Sequence, residues 1–260
     1  MSAGLISERR FPHGRAVALF DSAPELYPVL PSGTAPLLVL DPSKMSGTSG
    51  NLVAGGTWAL GADTAAPTLN AGPPASIQFS STSQYVTLGD AIDAVLASAA
   101  GFTFVQAINP SATDITVNRT IWNKDSAVNG GREVYVALTA GKLDCFALYG
   151  GGAPATERKT ATTALTAGRH TVAGSFDPTQ ATRANRWSLF ADGAAAAATA
   201  VQSAVDGTIS DTSTEIHVGA RKASDGQGVE SGMLLIYPGV LDSADVSAAH
   251  AWIVAKRGWS

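Results

Sequence analysis

The chain has 260 residues, 15% of them charged, 45% hydrophobic, and a formal net charge of −4. That length suits one large all-β domain or two small ones, with a core that needs no covalent staple. Mild acidity with scattered Lys and Arg argues against nucleic acid and anionic membrane surfaces as partners, and the single cysteine, Cys145, excludes an intrachain disulfide.

The N-terminal stretch MSAGLISERRFPHGR lacks the apolar core of a secretory signal, and no apolar run approaches a membrane span. The expectation is a protein made in the cytoplasm without a signal peptide and without membrane insertion. Pro12, Pro24, Pro28, Pro31 and Pro36 interrupt short apolar pieces such as Tyr27 and Val29–Leu30, a density incompatible with a long helix or a central strand. Residues 1–34 are therefore read as a Pro-rich arm, either an extended strap or an unstructured leader, and 35–260 as one folded domain. As a strap, the arm suits docking to another subunit, so a homo-oligomer is among the expected assemblies.

From Leu37 onward the chain alternates short β runs with Gly, Ser, Thr, Asp and Pro turns. The predicted runs are 37–40, 76–79, 85–88, 102–108, 120–123, 133–138, 143–149, 169–176, 186–191, 194–201, 215–220 and 232–237. This spacing predicts an all-β sandwich or barrel. A short helix is predicted over 90–100, with Ile92, Val95, Leu96 and Ala99 on one face. A second is predicted over 244–256, with Ser243 as N-cap, Gly258 as left-handed stop and Val246, Ala249 and Ile253 packed down.

Two hairpins are legible residue by residue. Ala140–Gly141 reads as a two-residue turn, which sets the register of the flanking strands. Val134, Val136 and Leu138 then share a core face with Leu143, Cys145 and Ala147. The opposite face carries Glu133, Tyr135, Ala137, Asp144, Phe146 and Leu148, with Tyr135 and Phe146 as cross-strand neighbours. Asp192–Gly193 predicts the second turn. The alanines after it suit a helix by propensity, but the turn and the β-rich context favour a strand over 194–201, with Ala194, Ala196 and Ala198 facing as Trp187, Leu189 and Ala191 do.

The order of these motifs resembles laminin-G-like domains of the concanavalin A-like superfamily. SIQFSSTSQYVTL (76–88) is similar to the opening F-D-G-x-x-D-Y-V-x-L strand pair, FTFVQAINP (102–110) to F-T-x-x-x-W-x-x-P, and GKLDCF (141–146) to G-K-L-x-F. TIWNK (120–124) resembles x-I-x-S-K. LTAGRHTVAGSFD (165–177), the Trp187–Gly193 segment, IHVGAR (216–221) and LIYPGVLD (235–242) continue the series in order. The resemblance spans roughly 37–258 and implies a two-sheet antiparallel jelly roll with one concave sheet. It departs from the pattern at Ser80–Ser81, at Ala107 and at Glu230, which puts the calcium site of some relatives in doubt. Such modules occur on virions without signal peptides. The resemblance with the arm therefore implies a phage or phage-like particle, such as a gene transfer agent, carrying this chain as a head-spike or tail-fibre adhesin. The implied partners are bacterial capsular polysaccharide and, through the arm, other particle proteins.

For chemistry, the sequence offers little catalytic machinery. Glycosidases of this superfold need carboxylates about 5–10 Å apart, whereas the hairpin register separates Glu133 from Asp144 by about 13 Å or more. The expectation is therefore no enzyme. His13, His170, His217 and His250 fall in no metal-ligand spacing. Asp211, Asp225 and Glu230 have no ordered calcium-loop pattern, and Gly150–Gly152 is no phosphate loop. No cofactor or metal is expected. What remains is recognition: an aromatic platform of Tyr135 and Phe146 with Glu133, Asp144 and Arg132 as polar partners, and a second candidate at Trp122, Asn123, Lys124 and Asp125. The alternative is that Tyr135 and Phe146 pack beneath a loop or helix; for function, the alternative is a structural protein–protein interaction module of the particle, with a glycan hydrolase as the third and least favoured reading.

Overall fold

The structure is a computed structural model that describes residues 26–62, 65–90, 92, 100–125, 132–149, 155–201, 209, 214–220 and 227–259. In chain order the strands are β1 (Leu38–Leu40), β2 (Ser49–Asn51), β3 (Thr57–Gly61), β4 (Thr68–Asn70), β5 (Ser76–Gln78) and β6 (Tyr85–Thr87). They continue with β7 (Phe102–Asn109), β8 (Asn118–Asp125), β9 (Arg132–Thr139), β10 (Lys142–Tyr149), β11 (Ala155–Ala161) and β12 (His170–Phe176). The last are β13 (Trp187–Ala191), β14 (Ala194–Ala195), β15 (Ala198–Val201), β16 (His217–Gly219) and β17 (Glu230–Pro238), before helix α1 (Ser243–Arg257).

These elements build the all-β, two-sheet antiparallel sandwich expected from the sequence. One sheet runs β14-β13-β12-β7-β17-β5-β4, with β1 also beside β17; the other runs β15-β11-β10-β9-β8-β16-β6-β3-β2. Between them lies a core in which Phe102 meets Trp187 edge to face at 5.7 Å and Phe104 meets Trp122 at 5.4 Å. Aromatic pairs in this geometry stabilise by about 0.5–1.5 kcal/mol beyond their buried area. Gly174 on β12 leaves room for these rings: a Cβ there would lie 2.6 Å from Phe104 and 3.1 Å from Trp187.

The central strands of the first sheet are buried on both faces. Strand β7 shows why its sequence is a continuous apolar run. Phe102, Phe104 and Ile108 point into the sandwich, while Val105 and Ala107 join Leu235, Tyr237, Val246, Ala249 and Ile253 in a second cluster under α1. The helix starts one residue earlier than predicted, because Asp242 rather than Ser243 caps it, accepting from the amides of Ala244 and Asp245 at 2.9 Å each. Gly258 at φ 64° ends it as expected. Burial raises the Tyr237 hydroxyl well above its ordinary pKa, and the neighbouring Asp245 adds to the shift.

Several expectations need revising. The run 194–201 is not one strand. After β14 the chain crosses to the opposite sheet, where β15 pairs β11; small side chains let it round the sandwich edge. Strands β2, β3, β4 and β11 were absent from the prediction. Most of the helix expected over 90–100 lies outside the described residues, although Ile92 is buried in the inter-sheet core. Residues 1–25 of the expected arm also lie outside them. The last of the arm folds back on the domain: Leu30 is buried in the cluster under α1, and the Ser32 amide donates to Asp245 Oδ1 at 2.9 Å.

Both predicted hairpins form with positive φ at each turn residue: 48° and 75° at Ala140–Gly141, 50° and 75° at Asp192–Gly193. Asp192 is held further by the Thr171 amide at 3.0 Å and His170 Nδ1 at 2.8 Å. That hydrogen bond holds the His170 pKa above its ordinary 6.5, against the opposing effect of burial.

Two outcomes follow. Gly174→Ala will lower the free energy of unfolding by about 1–3 kcal/mol, read from a urea transition, because the added methyl overpacks the aromatic core. A histidine whose pKa is raised on folding contributes stability that is complete below 6.5 and lost as pH rises through the raised value. The denaturation midpoint of the wild type will therefore fall more between about pH 5.5 and about pH 9 than that of His170→Gln. Identical pH profiles would remove the ion pair from the account.

Candidate functional site

The β9–β10 register sorts side chains as the turn dictates. Val136 pairs Cys145, and Val134, Val136, Leu138, Leu143, Cys145 and Ala147 are all buried in the inter-sheet core. Burial and the neighbouring Asp144 push the Cys145 thiol far up, so it is an inert core side chain. On the outer face Phe146 lies opposite Tyr135, and their rings meet edge to face at 5.5 Å and 72°. Both are half-buried.

Arg158 of β11, paired with Phe146, lays its guanidinium 4.8 Å from that ring's centre. Asp144 fixes it there. This carboxylate is fully buried and accepts from Arg158 Nε at 3.0 Å and Nη2 at 2.6 Å, from Thr139 Oγ1 at 2.9 Å and from Thr160 Oγ1 at 2.8 Å. Those hydrogen bonds hold the Arg158 pKa above its ordinary value. The Tyr135 hydroxyl is tied to Thr120 Oγ1 at 3.0 Å. The result is a pair of rings beside a planar cation, with the tyrosine and the cation positioned by hydrogen bonds and the phenylalanine by its contacts with both. Such a surface can stack on a flat apolar face and donate to oxygens around it.

The face continues across the sheet. Asn123 of β8 pairs Tyr135 on one side and His217 on the other. It is fully buried, and among the described residues neither its amide nitrogen nor its oxygen has a hydrogen-bond partner. The His217 ring stacks on Tyr85 at 4.6 Å. Glu215 accepts from Thr87 Oγ1 at 3.1 Å and lies 3.5 Å from His217 Nε2. Gly61 opposite Tyr85 is required, because a Cβ would run into the tyrosine ring.

The sequence-predicted residues divide accordingly. Tyr135, Phe146 and Asp144 come together, and Asn123 adjoins them. Asp144 is not the free polar partner expected, because Arg158 and two threonines occupy its oxygens. Trp122 and Lys124 are corrections. A β-bulge between Thr120 and Trp122 leaves Trp122 opposite Val136, pointing into the core against Phe104. Lys124 also turns inward, fully buried, with Nζ 2.5 Å from Asp90 Oδ1 and 2.6 Å from the Thr214 carbonyl. Neither can meet a ligand. The side chains of Asp125, Arg132 and Glu133 lie outside the described residues.

Sequence reasoning missed Arg158, Tyr85 and His217. The signal for Arg158 was the alternation Thr156, Arg158, Thr160, hidden by charges on the other face: Glu157 takes an ion pair from Arg186 at 3.2 Å, and Lys159 donates to the Trp187 carbonyl at 2.6 Å. Glu230 of the doubtful calcium set is committed to Ser76 at 2.6 Å and Asn109 at 2.9 Å; Asp211 and Asp225 lie outside the described residues. Among the described residues no cluster of three or more His, Cys, Asp or Glu is placed to hold a metal ion, and no helix is long and apolar enough to cross a membrane.

No protein-family model matches the chain, and no curated protein sequence matches it. Solved structures do. The botulinum neurotoxin serotype D binding domain superposes with a TM-score of 0.59 at 12% identity, over 84% of this chain and 51% of that one. The receptor binding domain of the C/D mosaic serotype gives 0.60 at 12%, over 84% and 51%. The type G receptor binding domain gives 0.57 at 10%, over 84% and 51%. The chain thus spans about half the length of these structures, and at such identities the likeness shows the fold alone.

Asp144→Ala will strand Arg158 and two threonines, lowering unfolding free energy by about 2–4 kcal/mol in chemical denaturation. A loss within about 0.5 kcal/mol, the range of an ordinary surface change, would show that this network does not hold the platform.

Proposed function

We propose that this chain is a non-catalytic carbohydrate-binding domain of the concanavalin A-like, laminin-G-like type, whose site is the outer face of the nine-stranded sheet around Tyr135 and Phe146. The observation that carries the reading is the Tyr135–Phe146 pair flanked by the Arg158 guanidinium on a surface no core requires. A pyranose presents a face of C–H groups for the rings and a rim of hydroxyls for the guanidinium. Support for binding over hydrolysis comes from Asp144, whose oxygens are occupied by Arg158, Thr139 and Thr160 and are not free to move a proton. The solved structures of like fold carry the names of binding and receptor-binding domains, which fits the same role.

In this proposal the domain is a spike or fibre adhesin of a phage or phage-like particle. Residues 1–34 attach it to other particle proteins, and its ligand is bacterial surface polysaccharide. A shallow site of this kind binds weakly alone and gains strength from several copies on one particle.

The test displays the full chain multivalently against capsular and other surface polysaccharides. The wild type will retain at least one. Tyr135→Ala and Phe146→Ala will each weaken retention about tenfold, equivalent to about 1.4 kcal/mol, with an unchanged circular-dichroism spectrum. Silence of the wild type across the panel would sink the carbohydrate reading; release of reducing ends would overturn its non-catalytic part.

A further inference from the structure

We infer that Asn123 is the specificity-determining residue of this face, and that it reads a vicinal diol on an internal sugar of an extended, unbranched glycan. The inference rests on the carbohydrate reading above and names the ligand class.

Asn123 and Asp144 lie on the same face of the same sheet, and both are fully buried. The Asp144 side chain has its hydrogen bonds; among the described residues the Asn123 side chain has none. A primary amide offers two donors and a two-lone-pair acceptor, and burying it unpaired works against folding. A buried amide that the fold leaves unpaired is open to a partner from outside it. The neighbours define what that is. Asn123 sits in register between Tyr135 and His217, and beyond these stand Phe146 with Arg158 on one side and Tyr85 on the other. From Tyr85 on β6 to Phe146 on β10 the line crosses four strand intervals, about 19 Å at the usual interstrand spacing. Rings at both ends of such a line and a planar donor–acceptor in its middle fit a chain of sugars lying across the strands. The outer sugars stack on the rings, and the central one presents two adjacent hydroxyls, one accepting from Nδ2 and one donating to Oδ1. Because the amide is covered in the free protein, a neighbouring side chain must move for the central sugar to reach it.

The probes are linear neutral glucans presented to the multivalent full-length protein. Internal residues of a 1,4-linked chain carry a 2,3-diol, whereas those of a 1,3-linked chain carry no adjacent hydroxyls. The wild type will bind the 1,4-linked polymer and not the 1,3-linked one, and periodate cleavage of the diols will abolish binding. Asn123→Ala will weaken binding at least tenfold while leaving the thermal midpoint unchanged or raised, because it removes a buried unpaired amide. Equal binding by Asn123→Ala, or equal binding of both linkages, overturns the inference and leaves the Tyr135–Phe146 platform standing. A clear drop in the thermal midpoint makes Asn123 a structural residue and also overturns it. A wild type that binds no glucan, and no polysaccharide of the wider panel, overturns platform and inference together.

Discussion

The register of β9 against β10 decides which side chains enter the sandwich and which form the site. Side chains alternate across a strand, so a slip of one residue would exchange the two sets completely. The Ala140–Gly141 turn specifies the register locally, since both residues take the positive φ that a two-residue hairpin demands. Burial then enforces it. Each of Val134, Val136, Leu138 and Leu143 contributes about 1.5–3 kcal/mol when removed from water, more in sum than any arrangement of the outer face supplies. The position of Tyr135 beside Phe146 is thus a consequence of the core.

Layering explains why the proposed site lies on this sheet. The central strands of the eight-stranded sheet have their outer face covered by α1, Leu30 and Trp259; Trp259 is anchored by hydrogen bonds to the carbonyls of Ile108 and His170 at 3.2 and 3.1 Å. The central strands of the nine-stranded sheet meet no α-helix among the described residues. Small or hydrogen-bonded side chains such as Thr120 and Ala137 form its floor, and rings stand above them. Aromatics placed there add nothing to the inter-sheet core, which already holds Phe102, Phe104, Phe176, Trp122 and Trp187.

How much of this could be read beforehand depended on whether alternation survived. It survives in β9 and β10, so core face, outer face and the Tyr135–Phe146 contact were legible from the residues. It fails in β8, where the bulge at Thr120–Trp122 shifts the phase; Ile121 and Trp122 are both fully buried, and no counting of residues shows which way the indole turns. It is masked in β11, where Glu157 and Lys159 reach inward to edge loops, so a strand carrying Arg158 looked like a polar linker. It was over-read after Gly193, where an alanine run compatible with one strand serves two sheets. In each case a contact distant in sequence overrode a local pattern, and the cation that completes the site was lost with its strand.

The polar residues of the outer face then separate scaffold from site. A buried polar group that is fully paired, as Asp144 is, positions its neighbours and makes the surface rigid. One with every partner missing, as Asn123 is, contributes nothing to rigidity and weakens the fold, so folding alone gives no reason for it to be there. The same depth, face and sheet hold both, which removes burial itself as the explanation of the difference. What distinguishes them is position: Asp144 lies under the Arg158 end of the aromatic line, whereas Asn123 lies in its middle, between two ring-bearing strands. An unpaired amide in that position is what the proposed glycan, spanning the rings on either side, would pair.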